Sequence, residues 1–217
     1  MSLHYPTFVI TTEPAGPGRE KCERHFDERG IGPRTYFHAV HGERQGLTTT
    51  QPYNLDHPGS GWIMGPRPLG CWLAHRMLWA ALQMRGDAPD AGYTVLEQDA
   101  LFPADWQGYH DGVLRDLPAD WDVVYLGSCC CEHRKKGLVK GNVYEVHYPL
   151  CTHAMLLRAR ALPVLIDTQD NCQSPMGDAK GFYAPIDISL TLHSLPKLRV
   201  YTVLPRMVHQ HDTVIPP

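Results

Sequence analysis

The chain has 217 residues, 43% of them hydrophobic and 20% charged, which excludes a disordered chain and leaves room for one domain over residues 1–217. With 20 Lys and Arg against 23 Asp and Glu, the formal charge is -3, so a basic nucleic-acid-binding face is excluded. No apolar run is long enough for a transmembrane segment, and the first residues do not resemble a signal peptide. We therefore expect a cytoplasmic protein, with peripheral association at the membrane as the alternative.

The beginning of the chain is typical of a strand, a helix and a second strand. Residues 6–11 are rich in β-formers, and a cluster of Gly and Pro at 13–18 precedes a polar stretch from Arg19 to Arg29 that favours a helix. Gly30 occupies the position expected for a helix C-terminus. Residues 35–40 predict the second strand, and the Gly- and Pro-rich residues 41–68 predict a long surface loop.

The middle of the chain carries the clearest helix pattern. Apolar residues from Leu69 to Met84 recur at helical spacing; they are Leu69, Trp72, Leu73, Met77, Ala80, Ala81 and Met84. Strands are then predicted at 93–96, 121–127, 152–157 and 199–204, with a helix at 159–166 that carries Pro163 in its first turn. Strands alternating with helices over the whole length predict an α/β fold.

Seven cysteines without a C-x-x-C pair suggest neither a disulfide framework nor a structural zinc site, so reduced thiols are expected. Cys129, Cys130 and Cys131 are adjacent, and consecutive residues of an extended chain point to opposite sides. Three such cysteines do not readily enclose one zinc ion. A thiol- or metal-handling protein built on this triplet remains a separate alternative.

The strand predicted at 93–96 ends directly on Glu97-Gln98-Asp99. Carboxylates at the carboxyl end of a strand point toward the ligand crevice of an open α/β sheet. Two carboxylates two residues apart can hold a hard cation such as Mn²⁺ or Mg²⁺ together with phosphate oxygens. Taken alone, an acid-x-acid pattern is more often an exposed acidic turn.

Several further segments occur in a fixed order around this motif. They are 9–12 with Arg19, 37–42, 69–76 with Leu78 and Trp79, 95–100, 120–127, 152–161, 185–187, and 203–205 with Gln210. Together they resemble glycosyltransferase family 25, the lipopolysaccharide and lipooligosaccharide sugar transferases related to procollagen galactosyltransferases. Gln98 stands where the family usually has the middle Asp of an acidic triplet, and Ala74 where a Ser precedes the His.

The resemblance implies a GT-A-like single domain with a mostly parallel central sheet flanked by helices. It also implies a metal-dependent glycosyltransferase that moves a hexose, galactose or glucose, from a UDP-sugar to a saccharide, glycolipid or other hydroxyl acceptor with inversion, as in lipopolysaccharide biosynthesis. The alternative is a catalytically silent relative that binds a nucleotide sugar or a glycan, which Gln98 suggests.

The resemblance further implies roles for individual residues. Asp187 is the candidate general base or acceptor-binding group, although an Asp capping a helix that begins at Ile188 is as good an interpretation. His75 is either a donor-site residue or a buried structural histidine. The candidate donor-binding residues are Thr11, Thr12, Arg19, Gly70, His75, Glu97 and Gln98. The candidate ligands of Mn²⁺ or Mg²⁺ are Glu97, Asp99 and either His209 or His211.

Overall fold

The computed structural model describes residues 4–47, 52–53, 62–63, 66–129, 135–171 and 185–210. Its strands are β1 (Thr7–Thr11), β2 (Arg34–His38), β3 (Pro52–Tyr53), β4 (Trp62–Ile63), β5 (Gly92–Glu97), β6 (Ala100–Leu101), β7 (Val123–Cys129), β8 (Lys135–Lys140), β9 (Val143–Val146), β10 (Leu150–Arg158), β11 (Val200–Val203) and β12 (His209–Gln210). Its α-helices are α1 (Pro17–Glu28), α2 (Pro66–Gln83), α3 (Trp106–Asp116), α4 (Leu162–Asn171) and α5 (Ile186–Ser189). A 3₁₀ turn over Ala159–Ala161 precedes α4, and π-helical and 3₁₀ turns over Leu190–Ser194 and Leu195–Lys197 follow α5.

The central sheet has eight strands in the order β2-β1-β5-β10-β7-β11-β9-β8. β1 pairs in parallel with β2 and β5, and β7 pairs in parallel with β11. β10 lies antiparallel between β5 and β7, and the antiparallel β8–β9 pair continues the sheet from β11. All strands except β9 and β10 therefore run in one direction. The expected α/β architecture, a mostly parallel central sheet flanked by helices, is confirmed.

The core lies on both faces of this sheet because successive strand residues point to opposite sides. In β7, Val123 and Tyr125 join one buried cluster, while Val124 and Leu126 join the other. Helices α2, α4 and α5 cover the first face, and α1 and α3 cover the second. The large helix residues buried there are Trp72, Trp79 and Leu165 on the first face, and Phe26, Trp106 and Val113 on the second.

Helix α1 follows its sequence signals closely. Pro17 is its first residue, where a missing N–H costs no hydrogen bond. Cys22 and Phe26 lie one turn apart and are buried. Gly30 follows the helix with a φ of 65°, which glycine adopts without a steric penalty, and its N–H donates to the Asp27 carbonyl at 3.0 Å. The predicted helix and its glycine end are confirmed.

Helix α2 confirms the predicted helix but corrects its buried face. It begins at Pro66, three residues before the predicted start at Leu69, and ends at Gln83. Met77 is 45% exposed, and Met84, just beyond the helix, is 88% exposed. Because α2 packs against α4 and α5 as well as the sheet, its buried side is wider than one stripe. The periodicity identified the helix without identifying which apolar residues face inward.

Other parts of the fold had no clear sequence signal. Strand β8 is exposed at every residue and carries lysines, as edge strands often do, so it lacks the alternation that marks a half-buried strand. The loop predicted at 41–68 contains the short β3–β4 pair and the start of α2; its residues 48–51, 54–61 and 64–65 lie outside the described residues. Among the residues that the structure describes, no helix has the length and apolar character needed to cross a membrane.

Candidate functional site

A cavity of about 310 Å³ lies at the carboxyl ends of β1, β2 and β5, against the first half of α2. Parallel strands bring these ends to one edge of the sheet, where ligands of open α/β sheets bind. The lining includes six predicted site residues: Thr12, Gly70, His75, Glu97, Gln98 and Asp99. A side chain at Gly70 would come within 2.6 Å of the Val40 carbonyl oxygen, so glycine is required for α2 to approach the β2 end this closely.

Glu97 is the most heavily contacted carboxylate of this edge. Its Oε1 accepts hydrogen bonds from Thr152 Oγ1 at 2.7 Å and pairs with His75 Nε2 at 2.9 Å. Cys71 Sγ lies 4.0 Å from the same oxygen. Burial by itself raises the pKa of Glu97, but the hydrogen bonds and charge of His75 and the hydroxyl of Thr152 outweigh it and hold the pKa below its usual range. The ionised form of Glu97 is therefore favoured.

Asp99 has the opposite electrostatics two residues later. Gln210 Nε2 donates to its Oδ2 at 3.0 Å. Its Oδ1 is buried without a hydrogen-bond partner in the described part of the chain. Burial, and next the negative charge of Glu97, raise the pKa of Asp99 above its ordinary value. The hydrogen bond from Gln210 therefore does not offset burial and the charge of Glu97 at Asp99.

Gln98 faces the ends of two strands. Its side-chain Oε1 accepts hydrogen bonds from Thr11 Oγ1 at 2.7 Å and from the Thr12 backbone N–H at 3.2 Å. Its backbone N–H donates to the Ile10 carbonyl at 3.0 Å. These bonds join the carboxyl end of β5 to that of β1. The residue that departs from the family pattern therefore ties the two strands together, and Thr11 contacts Gln98 and the Glu13 backbone.

Two contacts of this site were not predicted as functional. Thr152, at the start of β10, contacts Glu97 on the neighbouring strand β5. The two residues are 55 positions apart, so their contact could not be predicted from sequence spacing. Cys71 lies one turn before His75 on α2, so the i, i+4 spacing could have indicated a shared face. Burial, followed by the charge of Glu97, raises the pKa of the Cys71 thiol well above its usual range.

Other predicted residues lie around the cavity or apart from it. The guanidinium of Arg19 is 3.0 Å from the centre of the Tyr36 ring and pairs with Glu23 at 2.8 Å, and Arg19 does not line the cavity. His209 lies in β12, which pairs antiparallel with β6 directly after Asp99. Burial, with a smaller effect of the Arg206 charge, lowers the pKa of His209. His211 lies outside the described residues.

Asp187 lies in the first turn of α5, which begins at Ile186 rather than at Ile188. Its Oδ1 accepts the Ile188 amide at 2.9 Å, and its Oδ2 accepts the Cys151 amide at 3.0 Å. Because β10 runs antiparallel to β5, its first residues lie at the same edge of the sheet as the cavity. The carboxylate is thus oriented by two backbone donors.

Cys151 also forms a disulfide with Cys129, which corrects the expectation of reduced thiols. Cys129 ends β7 and pairs with Leu150 of β10, so the two Cα atoms are 5.9 Å apart, a separation suited to a disulfide. Residues 22 positions apart meet only because β7 and β10 are neighbours, which spacing alone does not reveal. Cys130 and Cys131 lie outside the described residues.

Comparison with known proteins gives two relatives in one family. The chain is 24% identical over 173 residues, 75% of its length, to the Bos taurus "Probable inactive glycosyltransferase 25 family member 3". It is 28% identical over 117 residues, 52% of its length, to the Homo sapiens "Inactive glycosyltransferase 25 family member 3". The matches cover 28% and 19% of those proteins, so the chain spans less than a third of their length.

A solved structure of UDP-glucose pyrophosphorylase from Acinetobacter baumanii superposes on 95% of this chain and 88% of that one, with a TM-score of 0.44 and 9% identity. No family model matches the chain. The two sequence relatives share the family that the ordered motifs predicted. The chain is therefore related to the glycosyltransferase 25 family, and the predicted family resemblance is confirmed.

Proposed function

We propose that the chain is a metal-dependent glycosyltransferase that moves a hexose, galactose or glucose, from a UDP-sugar to the hydroxyl of a saccharide or glycolipid acceptor with inversion. The observation that carries this proposal is the cavity at the carboxyl ends of β1 and β5, whose wall contains Glu97 and Asp99. The family of the two relatives supports the reaction class.

The carboxylates fit a hard divalent cation. Asp99 has a buried oxygen without a partner in the described part of the chain, and the neighbouring charge of Glu97 disfavours its ionised form. A cation would satisfy that oxygen and balance both charges, as oxygen-rich Mn²⁺ and Mg²⁺ sites do. We propose that Asp99 and Glu97 hold Mn²⁺ or Mg²⁺, with His209 or His211 as a further ligand. Bound there, the cation would stabilise the negative charge that develops on the departing UDP.

The remaining side chains would position the two substrates. Thr12 and Gly70 line the cavity, and glycine at position 70 lets α2 pack closely against the Val40 and Gly42 backbone that borders it. His75 lines the cavity and orients Glu97. Asp187 lies at the same edge, and its carboxylate is held by two backbone amides. We propose that it takes the acceptor hydroxyl proton as that oxygen attacks the anomeric carbon.

Calorimetric titration of UDP with Mn²⁺, with EDTA and with Asp99→Asn tests the donor site. Binding should need the cation and weaken about a hundredfold or more in Asp99→Asn. Asp167→Asn, which removes an exposed carboxylate on α4 outside the cavity lining, should bind UDP like the unchanged protein. Binding that survives EDTA and Asp99→Asn, or no binding at all, would contradict the proposal.

A catalytically silent relative that binds nucleotide sugars is the second candidate. The engagement of Gln98 with Thr11 and Thr12 favours it, because the amide replaces a family carboxylate with a structural contact. The word "inactive" in the names of both relatives is consistent with it. Cation-dependent UDP binding without release of UDP from UDP-galactose or UDP-glucose, over a broad acceptor panel, would favour this candidate over a transferase.

A further inference from the structure

A cluster of three side chains in the cavity wall has the composition of a softer metal site. Cys71 and His75 are four residues apart on α2, so both side chains lie on one face of the helix. Glu97, at the end of β5, faces them. One ligand atom from each of the three residues lies within 4.8 Å of the other two. Within the described residues, neither Asp99 nor His209 belongs to this group.

We propose that Cys71, His75 and Glu97 bind a borderline-soft divalent cation, with Zn²⁺ as the best fit. Zinc bonds of about 2.3 Å to sulfur and about 2.0–2.1 Å to nitrogen or oxygen place tetrahedral ligand atoms roughly 3.3–3.6 Å apart. The observed separations from Glu97 Oε1 are 2.9 Å to His75 Nε2 and 4.0 Å to Cys71 Sγ. Small side-chain rotations therefore bring all three into range of one ion.

Glu97 belongs to both proposed sites, but here its carboxylate is combined with sulfur and nitrogen donors, which select a different cation. Thiolate and imidazole favour zinc, whereas carboxylate and phosphate oxygens favour Mg²⁺ and Mn²⁺. On binding, the Cys71 thiol loses its proton to solvent, and the neutral imidazole coordinates through Nε2 with its own proton on Nδ1. Thiolate and carboxylate then supply two negative charges that match the dication. In the metal-free protein Nε2 donates to the ionised Glu97, so metal binding moves the imidazole proton to Nδ1, which is buried and has no partner among the described residues.

The surroundings leave one coordination position open. Thr152 Oγ1 donates to Glu97 at 2.7 Å and would orient the carboxylate, as residues behind metal ligands commonly do. All three ligand residues line the cavity of about 310 Å³. Three protein ligands with an open fourth position are typical of zinc sites that bind water or a substrate oxygen. The site therefore accepts a ligand from the cavity, and this inference does not depend on sugar transfer.

Metal-stripped protein is titrated with Co²⁺ as a spectroscopic probe and with Zn²⁺ against a chromophoric chelator. One equivalent of Co²⁺ should produce a sulfur-to-cobalt charge-transfer band, which Zn²⁺ abolishes. The band should be lost in Cys71→Ser, and Zn²⁺ affinity should fall at least about tenfold in His75→Gln and Glu97→Gln. Cys22→Ser, which replaces a buried free cysteine that does not line this cavity, should keep the band.

A measurement on the unchanged protein covers the case in which a variant does not fold. Zn²⁺ should slow alkylation of Cys71 by iodoacetamide in the folded protein, read by peptide mass spectrometry, more strongly than it slows alkylation of the buried Cys22. Asp99→Asn should leave Zn²⁺ affinity unchanged while it removes Mn²⁺-dependent UDP binding, which separates this site from the proposed donor site. A charge-transfer band that survives Cys71→Ser, no stoichiometric zinc, or no protection of Cys71 would overturn the proposal.

Discussion

Two parts of the same sheet edge are held in different ways. At the ends of β1 and β5, hydrogen bonds from α2 and β10 converge on Glu97, and Gln98 ties the two strands. At the end of β7 and the start of β10, the Cys129–Cys151 disulfide joins the two strands covalently. The backbone N–H of Cys151 also donates to Asp187. The first part borders the cavity, whereas neither disulfide cysteine lines it.

The difference shows where the edge is left incomplete. The disulfide part has its donors and acceptors paired around Asp187. The hydrogen-bonded part contains Asp99, whose raised pKa and unpartnered buried oxygen leave a charge to be balanced. Unsatisfied electrostatics in a cleft are typical of functional sites, because binding a ligand supplies the missing partner. This difference supports the proposal that ligands bind at the β1–β5 part, while the β7–β10 part holds Asp187 in place.

The largest expected effect comes from removing the disulfide. Replacing Cys129 and Cys151 together by Ser opens a loop closed across 22 residues, which should lower the free energy of unfolding by about 3 kcal/mol in urea denaturation. UDP affinity should change less than about twofold, because the bond lies outside the cavity wall. In reducing buffer the two proteins should converge in stability; equal stability in oxidising buffer would contradict the covalent role.

Glu97→Gln tests the hydrogen-bonded part directly. The variant loses a charged acceptor for His75 and Thr152, so the free energy of unfolding at pH 7 should fall by about 1–3 kcal/mol. The pKa of Glu97 is lowered in the folded state, so its contribution is complete above its ordinary value of 4.5 and is lost as the pH falls through the folded-state pKa. The gap between variant and unchanged protein should therefore close in acid.

The matched control for this prediction is Glu145→Gln. Glu145 pairs with Lys136 at 3.0 Å, but both side chains are more than a third exposed. An exposed pair of this kind contributes about 0–1 kcal/mol, so the control should change stability little at any pH. If Glu97→Gln and Glu145→Gln had the same small effect, the network around Glu97 would not hold this part of the edge.

Gln98→Ala removes the link between β1 and β5 and should cost about 1 kcal/mol in unfolding free energy. Thr11→Val removes the hydroxyl that donates to Gln98 Oε1 at 2.7 Å. A double-mutant cycle of Gln98→Ala and Thr11→Val should therefore give a coupling free energy of about 0.5 kcal/mol or more. Gln83→Ala, at the exposed end of α2, is the control and should be close to neutral. Additive effects of Gln98→Ala and Thr11→Val would contradict a stabilising link between the two strands through this hydrogen bond.

These contrasts also explain how far the sequence alone could predict the molecule. The strands β1, β5 and β7 and the helices α1 and α2 carry apolar periodicity or turn residues, so their positions followed from local pattern. Val9, Leu96 and Val124 lie on the same face of the sheet, as the alternation of side chains along a strand predicts. Local pattern also located Glu97 and Asp99 at a strand end, where the cavity lies.

What the sequence could not predict depends on which strands become neighbours. Thr152 meets Glu97, and Cys129 meets Cys151, only because β10 inserts antiparallel between β5 and β7. Similarly, Gln210 and Asp99 are 111 positions apart in the sequence, and they meet because β12 pairs with β6. Such contacts are long-range, so neither spacing nor propensity encodes them.

The smallest expected effect has the opposite sign from the others. The pKa of Asp99 is raised in the folded state, so its contribution to stability is complete below its ordinary value of 3.8 and is lost as the pH rises through the folded-state pKa. At pH 7 the ionised Asp99 is therefore a cost, and Asp99→Asn should stabilise the metal-free protein by about 0.5–1 kcal/mol while keeping an acceptor for Gln210.

Thermal unfolding from pH 3 to pH 8 checks this prediction. The advantage of Asp99→Asn should grow with pH and vanish in acid. Adding Mn²⁺ should raise the Tm of the unchanged protein more than that of Asp99→Asn, because the variant lacks one of the proposed carboxylate ligands and binds the cation more weakly. A variant that is less stable at pH 7, or that is stabilised equally by Mn²⁺, would mean that Asp99 is already balanced and that the two parts of the edge do not differ as argued.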